Sequence, residues 1–77
     1  MESHWIRTNG KLWNLEMLQN IDEPIFVNGT NAPGYWVINY STMNGLLNMW
    51  TYPTEQEARD TFDKIEKILT KNYNFIK

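Results

Sequence analysis

Three of the four glycines in the chain directly follow an asparagine, at Asn9-Gly10, Asn28-Gly29 and Asn44-Gly45. Asn-Gly favours the positive φ angles of tight turns, and between runs rich in β-branched and aromatic residues it is the strongest short-range signal for a β-hairpin. Such runs flank these pairs. The pattern therefore predicts an antiparallel β-meander of four or five strands, over about residues 3–51.

The last third of the chain changes from strand to helix periodicity. Thr54 and Glu57 have the spacing of a capping box, in which each side chain satisfies a backbone N–H at the start of a helix. Apolar residues then recur at four-, three- and four-residue intervals and form one helical face: Ala58, Phe62, Ile65 and Leu69. We expect one helix over about residues 55–71, packed on the sheet in an α+β fold.

A chain of 77 residues fits one domain, residues 1–77. Two of its segments allow alternatives. Residues 16–27 fit either one turn of helix or a bent strand, and Pro24 interrupts any regular ladder there. Residues 72–77 are apolar enough to dock on the fold but are equally compatible with a loose tail.

Composition excludes several classes of function. The chain has no cysteine, so disulfides, thiolate catalysis and cysteine-based zinc sites are ruled out. A secreted scaffold this small usually needs disulfides, and no secretion signal or membrane span is evident, so we expect a cytoplasmic protein with no membrane partner. Because the net charge is −2, we do not expect the chain to bind duplex nucleic acid.

Residues that could perform chemistry are sparse. His4 is the single histidine, and no second histidine stands at a metal-binding spacing. The carboxylate pairs are explained by a turn, at Asp22-Glu23, and by the helix start, at Glu55 and Glu57. No glycine-rich phosphate loop is present. We therefore expect no catalytic residue, no metal, no cofactor and no enzymatic activity.

Large apolar side chains occur on both faces of the predicted third hairpin. Alternation places Trp36 and Tyr40 on one face and Tyr35 on the other. In the next strand it places Trp50 and Met49 on opposite faces. One helix can cover only part of one face of such a sheet. Three explanations stay open: association with another copy, with a dimer as the first expectation; a different partner protein; or a half-barrel that buries its own tryptophans, Trp5, Trp13 and Trp50.

The aromatic residues and their basic neighbours are the candidate binding residues, whether for a protein interface or for a ligand. Arg7 and Lys11 beside exposed indoles could form a stacking pocket for a nucleotide or a single-stranded base, although strand packing with surface charges is the commoner situation. The predicted set is Trp5, Arg7, Lys11, Trp13, Tyr35, Trp36, Tyr40, Met49 and Trp50.

Two stretches, "WIRTNGKLWNLEML" at 5–18 and "YPTEQEARDTFDKIEKIL" at 52–69, resemble the layout of short bacterial and phage proteins that open with a W-I-R-T strand and an N-G turn and close with a T-x-x-E-A helix. The resemblance brings no activity with it. We expect a non-enzymatic binding module of phage or mobile-element type that acts by occupancy, inhibiting a host protein or sequestering a small ligand, as a homo-oligomer. The alternatives are a nucleotide or single-stranded nucleic-acid binder and a small transcriptional or structural accessory protein.

Overall fold

The computed structural model describes residues 4–29 and 33–73, with side chains of the helix described as far as Thr70. This part contains six strands and one α-helix: β1 (Trp5–Thr8), β2 (Lys11–Asn14), β3 (Leu18–Ile21), β4 (Ile25–Val27), β5 (Tyr35–Thr42), β6 (Leu47–Tyr52) and α1 (Glu55–Tyr73). The antiparallel sheet with a carboxy-terminal helix confirms the predicted α+β fold. Residue 3, where the strands were expected to begin, and residues 74–77 of the predicted tail lie outside the described residues.

The three Asn-Gly pairs occupy different kinds of connection. Asn9 and Gly10 have φ angles of 50° and 76°, so they form the two-residue type I′ turn between β1 and β2. Gly45 has a φ of 88° and ends a three-residue loop in which the Thr42 N–H donates to the Leu46 carbonyl at 2.9 Å. Asn28-Gly29 stands in the longer connection from β4 to β5, whose residues 30–32 lie outside the description.

The ambiguous segment contains both kinds of structure. Leu15–Met17 form one turn of 3-10 helix, and the Asn14 side chain accepts a hydrogen bond from the Glu16 N–H at 3.0 Å. Strands β3 and β4 then both pair with β5, at opposite ends of it, and buried Pro24 lies between them. Because proline cannot continue a ladder, one predicted bent strand becomes two short ones, and the described chain has six strands.

Strand β6 pairs along the other side of β5, so β5 is the central strand of a sheet of three rows. The helix α1 and the β1–β2 hairpin lie on the same side of this sheet. Helix residues Ala58, Ile65 and Leu69 are buried in one cluster with Ile38 and Trp50 of the sheet, as the helical spacing predicts. The helix and the hairpin therefore cover this side of the sheet together.

The hairpin contributes Ile6 and Trp13 to the core. The Trp13 ring stands edge to face against Trp50, with 5.7 Å between ring centroids, and Trp50 stacks on Tyr40 at 4.2 Å. The buried hydroxyls of Thr8 and Tyr52 share a hydrogen bond of 2.6 Å. These contacts hold the hairpin on the helix side of the sheet. The hairpin therefore does not cover the opposite side.

Candidate functional site

The face of the sheet that points away from α1 is the main candidate for a functional surface, and we call it the open face. Cross-strand partners share a face, so its members follow from the register of β3 to β6. Its apolar residues are Ile25, Val27, Tyr35, Val37, Leu47 and Met49. Its polar residues are Asn20, Asn39, Ser41 and Thr51. In the described part of the chain, the helix and the hairpin both pack on the other side.

Side chains of the open face are exposed around a buried centre. Leu47 is 84% exposed, Ile25 48% and Met49 46%. Val37 is only 1% exposed although it does not belong to the core cluster. Its cross-strand partners are Ile25 and Thr51. The open face therefore combines exposed apolar side chains at its margins with a buried valine on its central strand.

The open face carries no formal charge. Strands β3, β4, β5 and β6 contain no aspartate, glutamate, lysine, arginine or histidine at any position. The described charged residues lie on the hairpin, on the turns and on α1. The polar members of the face are amides and hydroxyls, and the neighbouring carboxylate is that of Asp22, which lines a concavity together with Asn39 and Ser41.

The outer edge of β6 is occupied by asparagine side chains. In the β5–β6 ladder, Thr42 and Leu46 form a hydrogen-bonded pair, so the backbone groups of Met49 and Thr51 point outward. The Asn9 side chain accepts from the Thr51 N–H at 2.9 Å and donates to the Thr51 carbonyl at 3.0 Å. The Met49 N–H donates to the Asn48 side chain at 2.8 Å. These bonds leave this edge poorly suited to accept another strand.

The opposite edge is formed by β3 and β4, which are four and three residues long. The register between β3 and β5 shifts between Leu18 and Asn20, which is the mark of a β-bulge. Buried Pro24 interrupts the edge between the two strands. Short strands, a bulge and a proline are devices that blunt a sheet edge, so the sheet offers its face more readily than its edges.

The predicted binding residues separate into four places. Tyr35 and Met49 lie on the open face. Trp5 and Arg7 are exposed on the outer side of the hairpin, because Trp5 pairs with Asn14 and Arg7 with Leu12. Lys11 and Trp13 belong to the inner side of the hairpin, and Trp36, Tyr40 and Trp50 point toward the helix side.

Two of these residues are core residues and present no surface to a partner. Trp50 is fully buried and Tyr40 is 4% exposed. Trp36 is half-buried beside Phe26, at 5.5 Å between ring centroids. Alternation along β5 and β6 predicted the faces of these residues, but only the positions of the helix and the hairpin decide which face is covered. The binding role predicted for Tyr40 and Trp50 is therefore corrected to one in the core.

The predicted stacking pocket is not assembled as one site. Arg7 and Trp5 lie on the outer side of the hairpin, whereas Lys11 and Trp13 lie on the inner side. The Lys11 ammonium stands 5.9 Å from the centre of the Trp13 ring, which is within cation–π range. The Trp13 Nε1 donates to the Thr8 carbonyl at 2.8 Å, which holds the indole in the fold. The hairpin therefore divides the four residues into two pairs.

Leu47 and Ile25 belong to the candidate surface although sequence reasoning did not include them. The signal for Leu47 was present, because it alternates with Met49 along the same strand. No local signal pointed to Ile25, since the pairing of β4 with the first half of β5 is a long-range feature. Exposed Leu47 is the largest departure from the burial expected for leucine.

A cleft of about 720 Å³ opens on the helix side, between β3 and the last turns of α1. Its lining is mostly apolar, and its described lining residues are His4, Leu15, Glu16, Leu18, Gln19, Asn20, Ile21, Met43 and Leu69. The His4 Nδ1 and the Glu16 carboxylate stand 2.6 Å apart. The cleft has the volume and the apolar lining of a small-molecule site. Sequence reasoning missed it because it depends on where the helix crosses the sheet.

Within residues 4–29 and 33–73, no three histidine, cysteine, aspartate or glutamate side chains are grouped so that they could hold a metal ion. No helix of this same part is long and apolar enough to cross a bilayer. Comparison of the chain with protein-family models, with curated proteins and with solved structures found no match.

Proposed function

We propose that the protein is a non-enzymatic binding module that acts by occupancy, with the open face as its working surface. The observation that carries the proposal is the exposure of Leu47, Ile25 and Met49 on one uncharged sheet face. Contiguous apolar surface of this kind is a mark of protein interaction sites. Burying these apolar side chains is favourable because it removes their surface from water.

The proposed partner is a protein. The open face contains a shallow concavity of about 410 Å³, whose lining includes Asn39, Ser41 and Leu47. The exposed Leu47, Met49 and Ile25 side chains around it suit another protein surface. The resemblance of both chain ends to short bacterial and phage proteins is the reason to propose a phage-type inhibitor of a host protein, working in the host cytoplasm as a homo-oligomer.

Site-specific photo-crosslinking tests this proposal. A photoreactive phenylalanine analogue replaces exposed Leu47 in the protein as it is produced in cells, and the matched control places the same analogue at Lys64, an exposed position of α1. We expect covalent adducts from position 47 and none from position 64. Each adduct weighs 9.2 kDa plus the mass of the partner, so its mass shows whether the partner is a second copy or a different protein.

The proposal fails if position 47 gives no adduct while the variant is folded. It also fails if the adducts form equally from position 64, because the open face would then have no special role. Turnover of any substrate at catalytic concentrations of protein would overturn the non-enzymatic part of the proposal.

A second candidate function is sequestration of a small ligand in the cleft on the helix side. Its support is the largely apolar lining of the cleft, which also includes the amide side chain of Gln19. A nucleotide panel tests the nucleotide-binding alternative here, because a ligand at 100 times its dissociation constant raises stability by about 2.7 kcal/mol. We expect Gln19→Ala to reduce the thermal shift. Absence of any shift across the panel would remove the nucleotide alternative.

A further inference from the structure

We propose that Asn28 deamidates spontaneously in the folded protein, and that the fold protects the other two Asn-Gly pairs from the same reaction. The three asparagines, Asn9, Asn28 and Asn44, are all exposed, and each precedes a glycine. Neither exposure nor the following residue therefore distinguishes them, but their hydrogen bonds do. The inference concerns a covalent modification of the chain itself, so it stands whether or not the open face binds a partner.

Deamidation of an Asn-Gly pair needs no reagent other than water. The backbone nitrogen of the glycine loses its proton to a base in the solvent and attacks Cγ of the asparagine. A bond forms between this nitrogen and Cγ, the bond from Cγ to Nδ2 breaks, and Nδ2 takes up a proton from water and leaves as ammonia. Water then opens the succinimide ring at either carbonyl and yields aspartate or isoaspartate. Glycine favours the attack because it has no Cβ beside the nitrogen.

The Asn9 side chain is held away from its own backbone. Its Oδ1 accepts from the Thr51 N–H at 2.9 Å, and its Nδ2 donates to the Thr51 carbonyl at 3.0 Å. Attack by the Gly10 nitrogen requires Cγ to turn back onto the adjoining peptide, so these two bonds have to break first. Their loss raises the barrier enough to slow the reaction about tenfold or more relative to an asparagine without such bonds.

In the Asn44-Gly45 pair the attacking nitrogen is itself occupied. The Gly45 N–H donates to the Thr42 carbonyl at 2.9 Å, so removal of its proton costs this bond. The Oδ1 atom of Asn44 also accepts from the Thr42 hydroxyl. Thr42 therefore holds both groups that would have to react. We expect Asn44 to deamidate about as slowly as Asn9.

The Asn28-Gly29 pair has no comparable protection. Among residues 4–29 and 33–73, none forms a hydrogen bond with the Asn28 side chain or with the Gly29 N–H. The pair follows the last rung of the β4–β5 ladder, where Val27 pairs with Tyr35. Beyond the ladder, the backbone can bring the Gly29 nitrogen to Cγ without breaking a strand. This pair therefore reacts first.

The modification changes the charge beside the open face. The new carboxylate is ionised at neutral pH, so it adds one negative charge to a chain whose net charge is −2. It stands one residue after Val27, which belongs to the open face together with its partner Tyr35. The added charge also separates the modified protein from the unmodified protein in ion-exchange chromatography.

Incubation of the full-length wild type in mildly alkaline buffer tests the inference, with peptide mapping by mass spectrometry as the measurement. Chymotrypsin cleaves after aromatic residues and places the three Asn-Gly pairs in separate peptides, and each deamidation raises the peptide mass by one dalton. We expect Asn28 to deamidate at least tenfold faster than Asn9 or Asn44 in the folded protein. In urea, where local sequence alone sets the rate, the three pairs should react at similar rates.

The matched variants are Asn28→Gln and Asn44→Gln, because glutamine has to close a larger ring and reacts more slowly. Asn28→Gln should remove the first acidic species seen in ion-exchange chromatography, and Asn44→Gln should leave it unchanged. Circular dichroism confirms that each variant is folded. The inference fails if Asn9 or Asn44 reacts as fast as Asn28 in the folded protein, or if the acidic species persists in Asn28→Gln. The same order of rates in urea would show that the fold is not the source of the protection.

Discussion

The side chain of Asn9 bonds both backbone groups of Thr51, accepting from the N–H at 2.9 Å and donating to the carbonyl at 3.0 Å. In this way a turn residue takes the place of a neighbouring strand at the edge of β6. Asn9 has a φ of 50°, which glycine adopts without strain, so Asn9→Gly removes the two bonds and preserves the turn. The pair can therefore be tested without disrupting the hairpin.

We expect Asn9→Gly to lower the free energy of unfolding by about 1–2 kcal/mol, because two hydrogen bonds are lost. It should also cause concentration-dependent scattering above the dimer mass, since the freed edge can accept a strand. Denaturant unfolding and light scattering measure the two effects. Asn28→Gly is the matched control, as it creates the same Gly-Gly pair elsewhere. Equal behaviour of the two variants would show that the edge contact has no protective role.

The hydrogen bond between Thr8 and Tyr52 connects the hairpin to the main sheet. It is buried, 2.6 Å long and joins residues that are 44 positions apart in the sequence. We expect Tyr52→Phe and Thr8→Val each to reduce stability by about 1–2 kcal/mol, since each leaves the other hydroxyl buried without this partner. The double variant should lose less than the sum. A denaturant-based double-mutant cycle measures the coupling, and strictly additive losses would contradict it.

Alkaline pH should destabilise the protein through its buried tyrosines. Burial raises the pKa of Tyr52 above its ordinary value of 10.0, although hydrogen bonds with Thr8 and Thr61 act in the opposite direction. Burial also raises the pKa of Tyr40. The folded state therefore holds these protons more tightly than the unfolded state. The stability is fully present below pH 10.0 and is lost as the pH rises from there through the folded-state pKa.

Unfolding midpoints at about pH 8 and about pH 11 measure this loss. In Tyr52→Phe the midpoint should fall less between the two pH values, because one of the responsible phenols is gone. Tyr35→Phe is the control, as Tyr35 is exposed on the open face. If Tyr52→Phe and the wild type lose the same stability, the phenol of Tyr52 is not a source of the alkaline effect.

Local sequence signals predicted the elements well where the structure is set by near neighbours. The Thr54 hydroxyl accepts from the Glu57 N–H at 3.2 Å, as the capping box predicts. The residues Ala58 and Ile65 of the helical stripe are completely buried. Alternation along β5 likewise placed Trp36 and Tyr35 on opposite faces. Each of these features depends on residues within a few positions of one another.

The arrangement of these elements could not be predicted in the same way. Pairing of both β3 and β4 with one side of β5 depends on contacts between distant parts of the chain. The packing of Trp13 against Trp50 places the hairpin on the helix side, and nothing near Trp13 in the sequence specifies it. For this reason the sequence predicted surplus apolar sheet surface, but only the structure assigns it to the face that carries Leu47.

The last prediction separates the core from the open face with two aromatic substitutions. Trp50 is fully buried between Trp13 and Tyr40, whereas Tyr35 is exposed on the open face. We expect Trp50→Ala to reduce stability by about 3–5 kcal/mol, because it removes the centre of the core. A domain of this size has about 4–12 kcal/mol in total, so this variant should be close to unfolding.

Tyr35→Ala should instead leave the stability of the isolated protomer nearly unchanged and weaken association. Denaturant unfolding at nanomolar concentration measures the first effect, and light scattering at micromolar concentration measures the second. The buried Trp50 Nε1 has no hydrogen-bond partner within the described structure, so Trp50→Phe should cost less than its lost volume suggests. If Tyr35→Ala destabilised the protomer as much as Trp50→Ala, the open face would be part of the core, and the division of the sheet into a covered and an uncovered side would be wrong.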